Sequence, residues 1–106
     1  MTTPEMTVQK PKAGWLYLFD LFGLPFPLTQ NALVLGDLTF SVNPSDPNGI
    51  SQVEFFIDGT VVETVTEAPY SYKWMDAEKG TYDVKIRAYN TDGATCKEEI
   101  MIQKIF

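Results

Sequence analysis

Ile50, Ser51, Gln52, Val53, Glu54, Phe55, Phe56 and Ile57 lead into Asp58-Gly59, and Thr60, Val61, Val62, Glu63, Thr64 and Val65 follow. In the first run Val53, Phe55 and Ile57 alternate with Gln52, Glu54 and Phe56, the period-two pattern of a strand with one buried side. Asp58-Gly59 is a two-residue link between β-rich runs. A type I′ turn needs positive φ at both central positions, and this pair supplies it. The two runs are therefore a hairpin, and antiparallel pairing is the basis of the fold.

Working outward, the same period recurs. Tyr70, Tyr72 and Trp74 alternate with Ser71 and Lys73, and Tyr82, Val84, Ile86 and Ala88 alternate with Asp83, Lys85 and Arg87. Thr95 to Ile105 places Cys96, Ile100 and Ile102 on one parity. Upstream, Trp15 to Phe19 reads as a short strand, and Leu33 to Val42 as one longer strand with Leu38, Phe40 and Val42 inward. Turn residues fill the gaps, notably Asn43 to Gly49 and Asn90 to Gly93. Only Asp76 to Lys79 has room for a helical turn. About seven antiparallel strands in two sheets, an all-β sandwich, is the expected class, with a closed five- or six-strand barrel as the competing picture. Residues 9–106 form the expected domain, and residues 1–8 are read as a flexible lead with no cationic region before an apolar core, hence no signal peptide.

The chain has 106 residues, 44% of them apolar, enough for one modest core. Eight Lys/Arg against fourteen Asp/Glu give a net charge of −6, which repels phosphate backbones and anionic lipid. The apolar tract Gly14 to Leu28 is too short, and too broken by Asp20, Pro25 and Pro27, to cross a bilayer as a helix. Neither nucleic-acid binding nor membrane insertion is expected. There is no histidine, and the one cysteine, Cys96, cannot form an internal disulfide and is expected to face the core.

Two stretches carry a resemblance. One runs from Gly49 through Val53, Phe55, Ile57 and Asp58-Gly59 to Ala68-Pro69-Tyr70, Tyr72 and Trp74. The other runs from Gly80-Thr81-Tyr82 and Val84 to Ala88-Tyr89-Asn90 and Asp92-Gly93. Together they resemble the bacterial and archaeal immunoglobulin-like modules of large secreted and cell-surface proteins. Lys10 to Asp20 resembles the lead-in strand of archaeal surface-protein versions. The resemblance implies an extracellular or surface location within a longer precursor. It also implies a non-catalytic role as spacer, adhesion or protein-contact module, with neighbouring domains of the same chain or another protein as partners.

Candidate functional residues follow from chemistry. Asp46 and Asn48 in one turn and Asp92 in another are hard oxygen donors of the kind Ca²⁺ takes, although the same residues serve turns for backbone reasons, and no other cofactor is expected. The apolar segment Leu21 to Leu28 is barred from regular structure by two prolines and a glycine. It is expected to close an end of the core, or else to offer Phe22, Leu24 and Phe26 to a partner. An alternative role, a carbohydrate-binding accessory module recognising polysaccharide, requires a planar row of exposed aromatics drawn from Phe56, Tyr17 or Trp15, and Tyr89. No catalytic residues are assigned: Glu98 and Glu99 point to opposite faces, and Glu54, Glu63 and Glu67 read as solvated strand carboxylates. Trp74 is expected to fill the core, and the Tyr82 hydroxyl to bond back to a nearby turn.

Overall fold

The computed structural model describes residues 3–26, 30–75 and 77–105. Among them are ten strands and no helix: β1 (Glu5–Lys10), β2 (Trp15–Leu18), β3 (Phe22–Pro25), β4 (Ala32–Leu35), β5 (Leu38–Ser45), β6 (Ile50–Ile57), β7 (Thr60–Val65), β8 (Tyr70–Trp74), β9 (Gly80–Asn90) and β10 (Thr95–Lys104). A three-stranded sheet, β1-β5-β8, packs on a seven-stranded sheet ordered β3-β2-β4-β10-β9-β6-β7. The architecture is the expected sandwich, with ten strands rather than seven.

The core lies where the alternation put it. Leu38 and Phe40 from one sheet meet Val34, Val53, Phe55, Val84, Ile86 and Ile102 from the other, all essentially inaccessible to water. An aromatic chain spans the two layers: Phe55–Tyr72 and Phe40–Tyr72 at 5.9 Å, Phe40–Trp74 at 5.5 Å and Trp74–Tyr82 at 5.0 Å between ring centroids. Every buried side-chain nitrogen and oxygen among the described residues has a hydrogen-bond partner.

Three expectations need correction. Leu33 to Val42 is two strands in different sheets, because Gly36 takes φ +82° and turns the chain across the sandwich. A side chain at Gly36 would also collide with the Phe19 ring, 2.6 Å from the position of its Cβ. Residues 5–8 are no flexible lead: Met6 and Val8 sit half-buried in β1, which pairs with β5 from Glu5↔Ser45 to Lys10↔Ser41.

The third correction concerns Leu21 to Leu28. Phe22–Pro25 forms a strand, paired antiparallel with β2 from Trp15↔Pro25 to Leu18↔Phe22. Leu18 and Leu21 close this hairpin through Leu21 N–H donating to Leu18 C=O at 3.0 Å. Its two central residues, Phe19 and Asp20, have φ of 53° and 58°, the type I′ geometry usually given to Asn-Gly or Asp-Gly. Gly23 is required beneath the Tyr17 ring, where a Cβ would lie 2.9 Å from a ring carbon. Pro25 is tolerated because β3 is a sheet edge. Pro27 and Leu28 lie outside the described residues. The hairpin widens the sheet beyond β4, which itself runs parallel to both β2 and β10.

Candidate functional site

Asp46 and Asn48 follow β5, and Asp92 follows β9. The register Ile50↔Asn90 brings their two turns to the same end of the sandwich. There they interlock. Asp46 accepts from Asn48 N–H (2.8 Å) and from the Asn90 amide (3.2 Å), using both carboxylate oxygens. The Asn48 amide donates to Asp92 at 2.9 Å, and the Thr91 hydroxyl to Asn48 C=O at 2.8 Å. Asn90 Oδ1 accepts from the Asp92 and Ala94 N–H groups. N–H donors thus already occupy both oxygens of Asp46 and one of Asp92. The described residues contain no group of three or more His, Cys, Asp or Glu side chains able to hold a metal.

The aromatics of the carbohydrate reading do not form a row. Phe56 is outward but only 9% exposed, covered by the Lys85 ammonium at 4.3 Å and the Arg87 guanidinium at 5.5 Å from its ring centre. Tyr17 is buried, with its hydroxyl accepting from Lys12 N–H at 2.8 Å, and Trp15 stacks on it. Tyr89 donates its hydroxyl to Glu54 at 2.5 Å. Phe56 is thus covered and Tyr17 buried on the inner face, so these rings do not share one planar outward row.

The carboxylates also stay apart. Glu54 pairs with Thr64 and Glu63 with the inward-facing Phe55, so Glu54 and Glu63 lie on opposite faces, while Glu67 is exposed beyond β7. Glu98 and Glu99 line a cleft of about 250 Å³ with Val8, Pro11, Lys12 and Ile86. Because they are successive on one strand, their side chains leave it on opposite sides of the sheet. Cys96 is half-buried, and burial pushes its thiol up, which keeps it protonated and a poor nucleophile at neutral pH. Trp74 is buried against Phe40 and Tyr82. The Tyr82 hydroxyl donates to Glu78 C=O at 2.6 Å, tying β9 to the turn before it.

The hairpin is the feature the sequence misjudged. Leu21 is 79% exposed, Phe22 55% and Leu24 46%, so the segment covers no core end, whereas Phe26 is half-buried. Asp20 holds this hairpin in place. It accepts from Thr39 N–H at 2.9 Å and the Thr39 hydroxyl at 2.6 Å on β5, and from Lys10 at 3.3 Å. Burial raises the Asp20 carboxyl pKa, but the bonds from Thr39 and Lys10 outweigh it and hold it below the usual carboxylate value. The sequence signal available for this latch was a lone aspartate between two apolar runs.

Two packed layers with apolar inner faces, an antiparallel three-stranded sheet and a seven-stranded sheet that is antiparallel except where β4 runs parallel to β2 and β10, define an immunoglobulin-like sandwich. Residues 28–86, more than half of the chain, match the family described as bacterial Ig domain, and the chain belongs to that family. It is similar to the fibronectin(III)-like modules of Clostridium thermocellum CbhA, with 25% identity and a TM-score of 0.71 over 98% of this chain and 47% of that one. The chain thus spans about half the length of that neighbour. An engineered protein (17% identity, TM-score 0.61, covering 98% of this chain and 20% of that one) and a Jonesia denitrificans lytic polysaccharide monooxygenase (12%, 0.58, 74% and 60%) share the fold alone. No curated protein matches the chain. Domains of this family are generally non-catalytic and typically occur in extracellular or surface proteins. Among the described residues no helix is long and apolar enough to cross a membrane.

Proposed function

We propose that the chain is a non-catalytic spacer module of a larger secreted or cell-surface prokaryotic protein. The observation that carries this reading is where the outer strands begin and end. Glu5 opens β1 opposite Ser45, at the end holding the Asp46 and Asn90 turns. Lys104 closes β10 opposite Gly80, at the other end of β9. The chain therefore enters and leaves at opposite ends of a body 41 Å long and about 25 Å wide. Such a unit adds length to whatever it is inserted in. Tension along the long axis shears the β1–β5 ladder at one end and the β10–β9 and β10–β4 ladders at the other, loading their hydrogen bonds together instead of one at a time.

Pulling a single molecule from residue 5 and residue 104 tests this. The expected trace is one cooperative rupture that releases about 300 Å, since some 100 residues extend to roughly 3.5 Å each less the folded length. Gradual extension without a force peak rejects the spacer role.

The module needs no metal or other cofactor, because hydrogen bonds already hold the Asp46 and Asp92 turns together. Millimolar Ca²⁺ is expected to leave the melting temperature unchanged. A concentration-dependent rise by differential scanning fluorimetry contradicts this, since a ligand that binds only the folded state stabilises it.

A further inference from the structure

For most of its length β10 is paired on one side only. β4 covers its last residues, from Ile102↔Ala32 to Lys104↔Val34, and among the described residues no strand lies beside Thr95 to Met101 on that side. The ladder to β9 determines which main-chain groups are left over. Asn90 N–H donates to Ala94 C=O at 2.9 Å, and the antiparallel register runs on from Thr95↔Tyr89 without a shift. Cys96, Glu98 and Ile100 therefore exchange bonds with Ala88, Ile86 and Val84, and Thr95, Lys97 and Glu99 turn their N–H and C=O the other way. That is the direction in which Ile105 N–H reaches Val34 C=O at 2.9 Å. Among the described residues nothing bonds these outward groups, and all three residues are exposed. They are a row of donors and acceptors at strand spacing, open to another strand.

The cleft of about 250 Å³ lies along this edge, lined by Val8 and Pro11 from β1 and the turn after it, and by Ile86 and Ile100 of the large sheet. It is the space that inward side chains of an added strand enter. Of its charged residues Glu99 is engaged by Lys97 at 3.3 Å, and the Lys12 ammonium lies 5.8 Å from the centre of the Trp15 ring. Glu98, on the inward parity, pairs with no cation among the described residues.

We propose that this edge takes an extended segment of another polypeptide, in line with β4, with a lysine or arginine set against Glu98. Charge selects that occupant. An apolar strand laid here buries the Glu98 carboxylate without a partner, so the inward charge protects the edge from indiscriminate pairing. A cationic side chain removes that cost and gains an ion pair. The net charge of −6 attracts a basic segment and repels a second copy, whose own edge brings another Glu98. Ladder bonds give the contact its strength, and Glu98 gives it its selectivity.

Amide NMR of the intact chain tests the proposal in two stages. In the free chain the Lys97 and Glu99 amides are expected to exchange with solvent faster than those of Glu98 and Ile100, which are bonded to β9. The capped peptide Thr-Val-Thr-Lys-Thr-Val-Thr, whose lysine and valines share one parity, is then titrated in. Shifts are expected on Thr95 to Met101, with a Kd of about 1 mM or tighter and slowed exchange at Lys97 and Glu99. The same peptide with glutamate in place of lysine is expected to bind about fivefold more weakly or worse, the scale of one partly exposed ion pair. Glu98→Gln is expected to remove most of that preference and Glu98→Lys to reverse it. Both keep the melting temperature, since the side chain is exposed. N-methylation of one alternate set of peptide residues is expected to abolish binding, and of the other set to leave it intact, because only one side of the added strand meets β10. Lys97 and Glu99 amides as protected as Glu98 in the free chain overturn the proposal, as does a lack of binding at about 2 mM peptide. So do equal affinities for the two peptides, shifts that fall on β7 or β1, or shifts on β10 that grow with protein concentration alone, which assign the edge to a second copy.

Discussion

Replacing Trp74 by alanine is expected to remove about 3–5 kcal/mol from the stability of the fold, the usual range for deleting a large buried aromatic. Trp74 ends β8, where the three-stranded sheet meets β9. Its ring packs on Phe40 from its own sheet and meets the edge of Tyr82 from the other, so its loss opens a cavity between the layers. It also lies 5.8 Å from the ammonium of Lys104, which donates to Gly36 C=O, so the cation loses an aromatic face while it stays buried. Domains of this size have about 5–15 kcal/mol in total, so the variant is left marginal. Trp74→Phe, which keeps part of the ring surface, is expected to lose less than half as much. Urea unfolding followed by circular dichroism measures both, since Trp15 complicates a fluorescence signal. A loss below about 1 kcal/mol for the alanine variant means that the inter-sheet aromatic chain is not a main contributor to the core.

The strands that were legible in the sequence are those with one wet and one dry side. β6, β8 and β9 alternate cleanly, and Asp58-Gly59 adopts φ of 50° and 85° as a two-residue turn demands. In the wing formed by β2, β3 and β4, β2 was legible as Trp15 to Phe19, but β3 and the break between β4 and β5 were not, for a physical reason. Leu16, Leu18, Leu33 and Leu35 are apolar on the outward side while Tyr17, Ala32 and Val34 are apolar inward, so no alternation marks the strands. Its turn uses Phe19, an aromatic residue that seldom accepts positive φ, beside Asp20, which accepts it more readily and is held by Thr39 and Lys10. The loss of alternation that hid this hairpin is also what makes its outward side apolar. Gly36 was visible, but only its φ shows that it sends the chain from one sheet to the other. On β10 the inward parity includes Glu98 and Lys104, which composition alone assigns to solvent. Lys104 is buried because Gly36 C=O and the Trp74 ring receive its ammonium. Among the candidate residues, the pairing of the Asp46 and Asp92 turns required register information, because two turns 44 residues apart can sit at either end of a sandwich.

Asp20→Ala is expected to cost about 2–4 kcal/mol. The carboxylate is 17% exposed and accepts two bonds from Thr39 and one from Lys10, and bonds to a charged acceptor are among the strongest single polar contributions. Its removal leaves the Thr39 N–H and hydroxyl without their partner in a half-buried position. The Lys10 pair contributes least, since that side chain is 37% exposed. The pH dependence identifies the carboxylate as the cause. Its pKa in the folded state lies below the ordinary value, so its contribution is fully present above the unfolded-state pKa of about 3.9 and is lost as pH falls through the folded value. The stability gap between the natural chain and Asp20→Ala is therefore expected to be constant from pH 7 to about pH 5 and to narrow below about pH 4. Asp20→Asn, which keeps an acceptor oxygen but not the charge, is expected to fall between the two at neutral pH. Chemical denaturation at a series of pH values measures all three chains. A gap that stays the same from pH 7 to pH 3 assigns the loss to the turn conformation of Asp20 and removes the carboxylate latch.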